Sequence, residues 1–227
     1  MNNAGVHLGN PEIRDTDIVI TTRELARMIK QKRINLLDLE DAPYDDILSE
    51  YSGGGAIFGV TGGVMQAAVR TAYYFITGEN PPPSIVDLKP VRGLSGIKDT
   101  TLEIPGFGEI RVAVVAGTAN AKKVLEKVKS GEVQWHFMEF MACVGGCISG
   151  GGQPKTAVPP HDSVRAARTG ALYSIDEQNT IRLSHENSQI KALYENFFKG
   201  EPCEGLAYEL LHTRGYEDRS NRLTAKR

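Results

Sequence analysis

The sequence predicts one α/β lobe followed by a helical C-terminal tail, and three observations carry that reading. A β-branched run, Asp17 to Thr21 (D-I-V-I-T), leads directly into an amphipathic helix, which is a β-to-α step. The continuous apolar run V-A-V-V-A from Val112 to Ala116 has the character of a strand covered on both faces. Two glycine-rich stretches, Ser52 to Gly63 and the one around Gly145-Gly146, sit where a strand gives way to a helix, the position at which open α/β sheets gather ligands.

Taken in order, D-I-V-I-T is expected as a short buried strand. Thr21-Thr22-Arg23-Glu24 then forms a capping box that opens a helix running to about Arg33. A loop passes through Asp41-Ala42-Pro43-Tyr44. The Ser52 to Gly63 stretch leads into a helix over Val64 to Thr77, with Val64, Ala67, Ala68 and Thr71 on one face, and Pro81-Pro82-Pro83 stops it. Ile85 to Val91, Thr100 to Ile104 and Glu109 to Val115 read as short β segments, the last two joined by a Pro105-Gly106 turn. Asn120 to Lys129 is helical, with Ala121, Val124, Leu125 and Val128 as its apolar positions. Val133 to Phe140 returns as a strand that ends at a cysteine-bearing loop. Beyond it, three short helices are expected over Asp162 to Thr169, Ser188 to Phe198 and Glu204 to His212, as an appendage wrapping the surface.

Bulk properties exclude several classes of function. With 227 residues, 41% of them hydrophobic, the chain is neither fibrous nor disordered. A formal net charge of −2 lacks the basic stripe of a nucleic-acid binder, and the basic end from Arg214 to Arg227 reads as a short solvated tail. No uninterrupted apolar run approaches the roughly 18 residues of a membrane span, and the polar N-terminus lacks a secretory apolar core. Three cysteines are too few for a disulfide framework, so a reducing compartment, the cytoplasm by default, is expected.

The chemistry concentrates in Glu139 to Pro154, E-F-M-A-C-V-G-G-C-I-S-G-G-G-Q-P, where Cys143 and Cys147 stand four residues apart among glycines. Thiolates are the natural ligands of iron–sulfur clusters, and the bare glycines imply positive φ angles or an object lying against the backbone. The pair alone is equally compatible with two thiols packed in a loop. Ser52 to Gly63 admits a phosphate-cradling reading, but it has neither the Lys-Ser/Thr of a P-loop nor the spacing of G-x-G-x-x-G. His161, His185 and His212 lack paired metal spacing and read as capping or hydrogen-bonding residues.

The run from Glu139 to Pro154 resembles the third signature of the iron-only ([FeFe]) hydrogenases, E-x-M-x-C-x-x-G-C-x-x-G-G-G-Q-P, at every fixed position. Ser52 to Arg70 (S-G-G-G-A-I-F-G-V-T-G-G-V-M-Q-A-A-V-R) and Val91 to Lys98 (V-R-G-L-S-G-I-K) are similar to further family stretches. Leu172 to Asp176, Ser184 to Asn187 and Leu210 to Thr213 resemble the small-subunit region. The resemblance implies one lobe of the iron-only hydrogenase fold, with a short mainly parallel sheet flanked by helices and a helical C-terminal wrap. Its implied segments are a catalytic-domain lobe over 1–160, a small-subunit-like tail over 161–213 and a polar end over 214–227.

The same resemblance implies a cofactor, the H-cluster, in which a [4Fe-4S] cubane is linked to a di-iron centre. Cys143 would be a cubane ligand and Cys147 the catalytic ligand that bridges to the di-iron centre. Met141, Phe58 and Gly59 would line the cofactor. The family's first two signatures, T-S-C-C-P-x-W and M-P-C-x-x-K-x-x-E, do not occur in the sequence, so two cubane ligands are expected from a complementary N-terminal half or subunit, and the chain alone is expected to be inactive. Cys203, in a polar E-P-C-E-G context, is a poor replacement. Implied partners also include an electron carrier such as ferredoxin or an NAD(P)-linked subunit. The alternative of a different class is a non-catalytic iron–sulfur assembly or recognition scaffold of the same fold.

Overall fold

A computed structural model describes residues 17–43, 45, 48–156, 161–200 and 202–211. The chain forms two compact units, one of Glu40–Asn187 and one that joins Met1–Leu39 with Ser188–Arg227.

The second of these units contains helix α1 (Thr22–Gln31), which begins as its sequence dictates. The Thr21 hydroxyl accepts from the Glu24 amide at 3.3 Å while the Glu24 carboxylate accepts from the Thr21 amide at 2.7 Å. The expected strand over Asp17 to Thr21 does not form. Ile18 is 79% exposed and Val19 65%, and the segment is not part of the sheet. β-propensity creates no strand without a neighbouring edge to take its amides and carbonyls.

In the Glu40–Asn187 unit, Ser52 caps the four-residue helix α2 (Gly53–Ala56) by accepting from the Gly55 amide at 3.2 Å. A 3₁₀ turn, Ile57–Gly59, leads to the longer helix α3 (Gly63–Thr77). Its buried apolar stripe is Met65, Val69 and Tyr73 rather than Val64, Ala68 and Thr71; of the expected face only Ala67 is fully buried. Gly78, at φ 74°, ends the helix by donating to the Tyr74 carbonyl, before the prolines are reached. Pro82 and Pro83 instead open the short helix α4 (Pro83–Val86), and a 3₁₀ turn follows at Lys89–Val91. Ile85 to Val91 is therefore not a β segment. Proline at the first helical position costs no hydrogen bond and pre-sets φ, which outweighs the apolar run.

Strands β1 (Ile97–Ile104) and β2 (Gly108–Ala116) form an antiparallel hairpin closed by Pro105-Gly106-Phe107, with Gly106 at φ 78°. Helix α5 (Thr118–Ser130) then carries the chain to β3 (Phe137–Met141), which pairs in parallel with β2, Val112 against Phe137 and Ala116 against Met141. The α/β class stands, and the three-stranded sheet is mixed, one pair antiparallel and one parallel. Val112 to Ala116 are all at most 1% exposed, the signature of a central strand covered on both faces. Of the expected apolar face of α5, Val124 is buried, whereas Leu125 is 54% exposed.

Two apolar clusters organise this unit. Met65, Val69 and Tyr73 of α3 pack with Ile85, Leu88, Val91, Leu102, Ile104, Val112 and Val114. A smaller cluster joins Ile57 and Val60 to Ile148, Tyr173 and Leu172. The last two lie on α6 (Asp162–Gln178), a single helix where only Asp162 to Thr169 was expected. In the other unit, α7 (Ser188–Ala192) continues into a π-helical turn over Leu193–Phe198, and α8 spans Gly205–Leu211. Tyr44, His212, Thr213 and the basic end lie outside the described residues. Among the described residues no helix is long and apolar enough to cross a membrane.

Candidate cluster-binding site

The parallel strand β3 delivers the chain to the site, and its one buried acidic residue builds it. Glu139 is 6% exposed, and its two carboxylate oxygens accept from the Gly62 amide at 2.6 Å and the Met65 amide at 2.7 Å. Those amides belong to the first turn of α3, which has no cap side chain of its own, because Gly62 occupies the cap position at φ 91°. A carboxylate there satisfies two orphan donors and sits at the positive end of the helix dipole. Glu139 therefore fastens the strand that precedes the cysteines to the loop that precedes α3.

The two glycine-rich loops then meet. The Thr61 amide donates to the Gly145 carbonyl at 3.2 Å. A Cβ on Gly146 would lie 2.7 Å from the Gly59 carbonyl oxygen and 2.8 Å from the Thr61 nitrogen. Gly145 and Gly146 both adopt φ 90°, as the cysteine run led one to expect. Gly150, Gly151 and Gly152 do not have positive φ, and a Cβ on Gly150 would lie 3.2 Å from the Cys147 carbonyl oxygen. The object that requires a bare backbone at Gly146 is the other loop. In the same way Gly53 and Gly54 are bare because the chain at residues 176–182 lies on them. Their amides donate to the Ile181 and Arg182 carbonyls at 2.7 and 3.1 Å, and a Gly53 Cβ would fall 2.3 Å from an Asp176 carboxylate oxygen.

Cys143 and Cys147 flank this bend and both are exposed free thiols. The Gly146 amide donates to the Cys143 carbonyl and the Gly150 amide to the Cys147 carbonyl, each at 3.0 Å, so the backbone beside each thiol is fixed while the sulfur is free to ligate. Met141 ends β3, half-buried, and Gly59 is half-buried under Leu172. Phe58 is 48% exposed, which removes plain core packing as its role. Cys203 stands in the other unit, exposed and at φ 68°. His185 is a hydrogen-bonding histidine, stacked on Tyr74 at 4.2 Å with a ring nitrogen 3.1 Å from the Asn80 side-chain oxygen. His161 precedes α6 and makes no side-chain cap bond.

The donor set decides what the site can hold. Among the described residues no group of three or more His, Cys, Asp and Glu side chains is arranged to hold a metal ion. Two exposed thiols on a rigid bend fit one half of a cubane, which takes four thiolates. Lys98, at the end of the V-R-G-L-S-G-I-K stretch, donates to the Gly93 carbonyl at 2.6 Å. Burial pushes its ammonium below the usual lysine range, with the Glu139 charge opposing.

Behind the bend, α6 supplies groups that the sequence did not single out. Arg168 donates to the carbonyls of Ile148 and Pro154, both at 2.7 Å. Arg165 lies beside Gly145, its Cδ 3.6 Å from where a Cβ would be. Deeper in, the Arg70 guanidinium on α3 meets the Asp176 carboxylate on α6 in a two-pronged pair, 2.8 Å at each prong, with both side chains fully buried. Arg182 adds a 2.7 Å bond to Asp176 and another to Asp87, and Arg92 lies 4.0 Å above the Tyr173 ring. Only the i, i+3 spacing of Arg165 and Arg168 was visible beforehand, and such spacing ordinarily marks a solvated helix face.

Comparison with known proteins agrees with this architecture. Residues 4–151 match the family described as iron only hydrogenase large subunit, C-terminal domain, and residues 162–219 match iron hydrogenase small subunit. The chain is 47% identical over 204 residues to iron hydrogenase 1 of Clostridium pasteurianum, covering 88% of this chain and 34% of that protein. It is 43% identical to the NADP-reducing hydrogenase subunit HndD of Solidesulfovibrio fructosivorans, covering 92% and 34%. It thus spans about a third of these relatives' length. At a greater distance, it is 31% identical to cytosolic iron-sulfur assembly component 3 of Mus musculus, covering 89% and 42%. Among solved structures, a variant of [FeFe]-hydrogenase HydA1 from Chlamydomonas reinhardtii superposes with a TM-score of 0.72 at 38% identity, covering 92% of this chain and 57% of that one. The cofactor this family implies is the H-cluster, a [4Fe-4S] cluster linked to a di-iron centre. The chain belongs to the iron-only hydrogenase family, and what it represents of that family is the C-terminal part of the large subunit with small-subunit sequence following it.

Proposed function

We propose that this chain is part of a reversible iron-only hydrogenase and provides two of the four cysteine ligands of its active-site cluster. Cys143 is assigned as a cubane ligand and Cys147 as the ligand shared with the di-iron centre. Met141, Phe58 and Gly59 are assigned to the cofactor's surround. The observation that carries the reading is the pair of exposed thiols on a bend whose backbone is locked to the Gly59–Thr61 segment. When bound, the H-cluster supplies the redox chemistry that interconverts H2 with protons and electrons.

The chain's own contribution is to hold and to shield. Glu139 keeps β3 and α3 in register beneath the bend. Met141 offers a soft, polarizable side chain. Phe58, 48% exposed beside Gly59, offers an apolar side chain to the cofactor. Two thiolates do not complete a cubane, so activity requires the two further cysteines on another stretch of polypeptide, and an electron carrier such as ferredoxin or an NAD(P)-linked subunit. Three exposed free thiols suit a reducing compartment, and we assign the cytoplasm.

A second reading rests on the likeness to cytosolic iron-sulfur assembly component 3, which points to a scaffold of the same fold that holds iron and sulfide without catalysis. One experiment separates the two. The chain is produced anaerobically with cluster-maturation proteins and a polypeptide that bears the first two cysteine signatures, then examined for H2 evolution and infrared bands of CO and CN. Both signals support the hydrogenase, and iron and sulfide without the bands support the scaffold. H2 evolution by the chain alone would refute the requirement for completing cysteines.

A further inference from the structure

Arg168 is tied to two carbonyls that lie at opposite ends of one stretch. Ile148 follows Cys147 directly, and Pro154 closes the Gly150-Gly151-Gly152-Gln153 run, so one guanidinium spans a segment that its glycines leave conformationally free. Three residues earlier on the same helix, Arg165 has one end held by Asp162 at 2.6 Å, while its buried Nε finds no hydrogen-bond partner among the described residues. Two buried hydroxyls beside the bend share that condition, Ser149 Oγ and Thr61 Oγ1, and Thr61 is 4% exposed. Ser149 Oγ lies 3.2 Å from where a Gly145 Cβ would be, which puts it on the same side of the bend as Arg165. Buried polar groups without partners are costly, and two of them, on Arg165 and Ser149, belong to side chains that lie against Gly145.

We propose that Arg165 and Arg168 are positioning residues for the cysteine loop: Arg168 splints it between Ile148 and Pro154, and together they bring two guanidinium groups to the loop that carries the sulfurs. The electrostatic half of this inference rests on the reading that Cys143 and Cys147 hold a cluster; the splint does not. Both residues lie in the small-subunit-like segment, so that segment acts on the ligand loop of the large-subunit part. The redox consequence has a definite sign. One-electron reduction adds negative charge to the cluster, a nearby cation favours the reduced form, and removing the cation lowers the potential.

The splint is tested on the full chain without iron by amide hydrogen exchange. Ser149, Gly150 and Gln153 carry hydrogen-bonded amides that report on the loop. Arg168→Met is expected to speed exchange there by about tenfold or more, with β2 amides unchanged and Arg168→Lys intermediate. An unchanged loop, or an equal rise in β2, overturns the splint. The charge effect is read in the completed, cluster-loaded complex by redox titration followed by electron paramagnetic resonance. Arg165→Met and Arg168→Met are expected to lower the cubane potential at unaltered iron content, and the lysine variants to restore it. Potentials equal to the unsubstituted complex overturn the charge effect. If the unsubstituted complex takes up no iron, the proposed function and the charge effect both fail, while the exchange result still decides the splint.

Discussion

Replacing Asp176 by asparagine should unfold the Glu40–Asn187 unit more readily than any surface change. The substitution preserves shape but leaves the fully buried Arg70 guanidinium facing a neutral amide instead of two carboxylate oxygens at 2.8 Å. Breaking a buried pair by removing one partner costs about 3–5 kcal/mol, because the other charge stays desolvated and uncompensated. Arg182 adds little to the cost, since it is partly exposed and keeps its 2.7 Å bond to Asp87. At about 2–4 °C per kcal/mol for a domain of this size, Tm should fall by about 6–20 °C. Urea unfolding followed by circular dichroism should show a lower midpoint with an unchanged slope. Combining Asp176→Leu with Arg70→Met should recover most of the loss, as apolar replacement of a whole buried pair often does. A loss under about 1 kcal/mol, the range of a solvent-screened pair, would refute the reasoning. So would a double variant no more stable than Asp176→Asn.

The same carboxylate fixes an acid limb. Burial would raise the Asp176 pKa, but the hydrogen bonds and charges of Arg70 and Arg182 outweigh it and hold the group below the usual range. Its stabilising share is therefore complete above the ordinary carboxylate pKa and lost as pH falls through the lower folded value, and Asp176→Asn should flatten the acid limb. Burial pushes the Tyr173 phenol up to about 12. A raised phenol favours the folded state below its unfolded pKa and loses that contribution as pH rises, so ultraviolet titration should show a late component that Tyr173→Phe removes. Glu139→Gln puts an amide donor against a backbone donor at the start of α3 and should cost about 1–3 kcal/mol in urea unfolding; an unchanged midpoint would mean that Glu139 does not clamp the loops. Gly146→Ala combines φ 90° with a Cβ 2.7 Å from the Gly59 oxygen, so it should abolish iron uptake by the completed complex while the far strands β1 and β2 keep their amide protection.

Features written in local chemistry were legible in the sequence. The Thr21–Glu24 box, the Pro105-Gly106 hairpin and the apolar Val112 to Ala116 run each contain their own instructions, and each formed where the pattern placed it. Asp17 to Thr21 and Ile85 to Val91 misled for one reason: apolar β-branched composition does not encode the neighbour a strand requires, and Pro83 gave the second segment a helical alternative. Met65, Val69 and Tyr73 were missed as the buried stripe of α3 because small residues on another face looked equally apolar. In the site, the glycines of the cysteine run announced a close approach without saying by what. That the approach is made by Gly59 to Thr61, and that Glu139 and Arg168 fix the geometry, depends on residues far apart in the chain that carry no joint signature.

The pair between Arg70 and Asp176 also bears on how the two family segments need to be connected. It joins a helix in the large-subunit match to one in the small-subunit match, deep inside a single packed unit. Covalent continuity between residues 151 and 162 then raises effective concentration, beside the 2.7 Å bond that Arg168 makes to the Pro154 carbonyl within it. A chain severed in that interval would still present complementary charged and apolar halves, and its assembly would become a matter of concentration and affinity, as in any complex of two polypeptides.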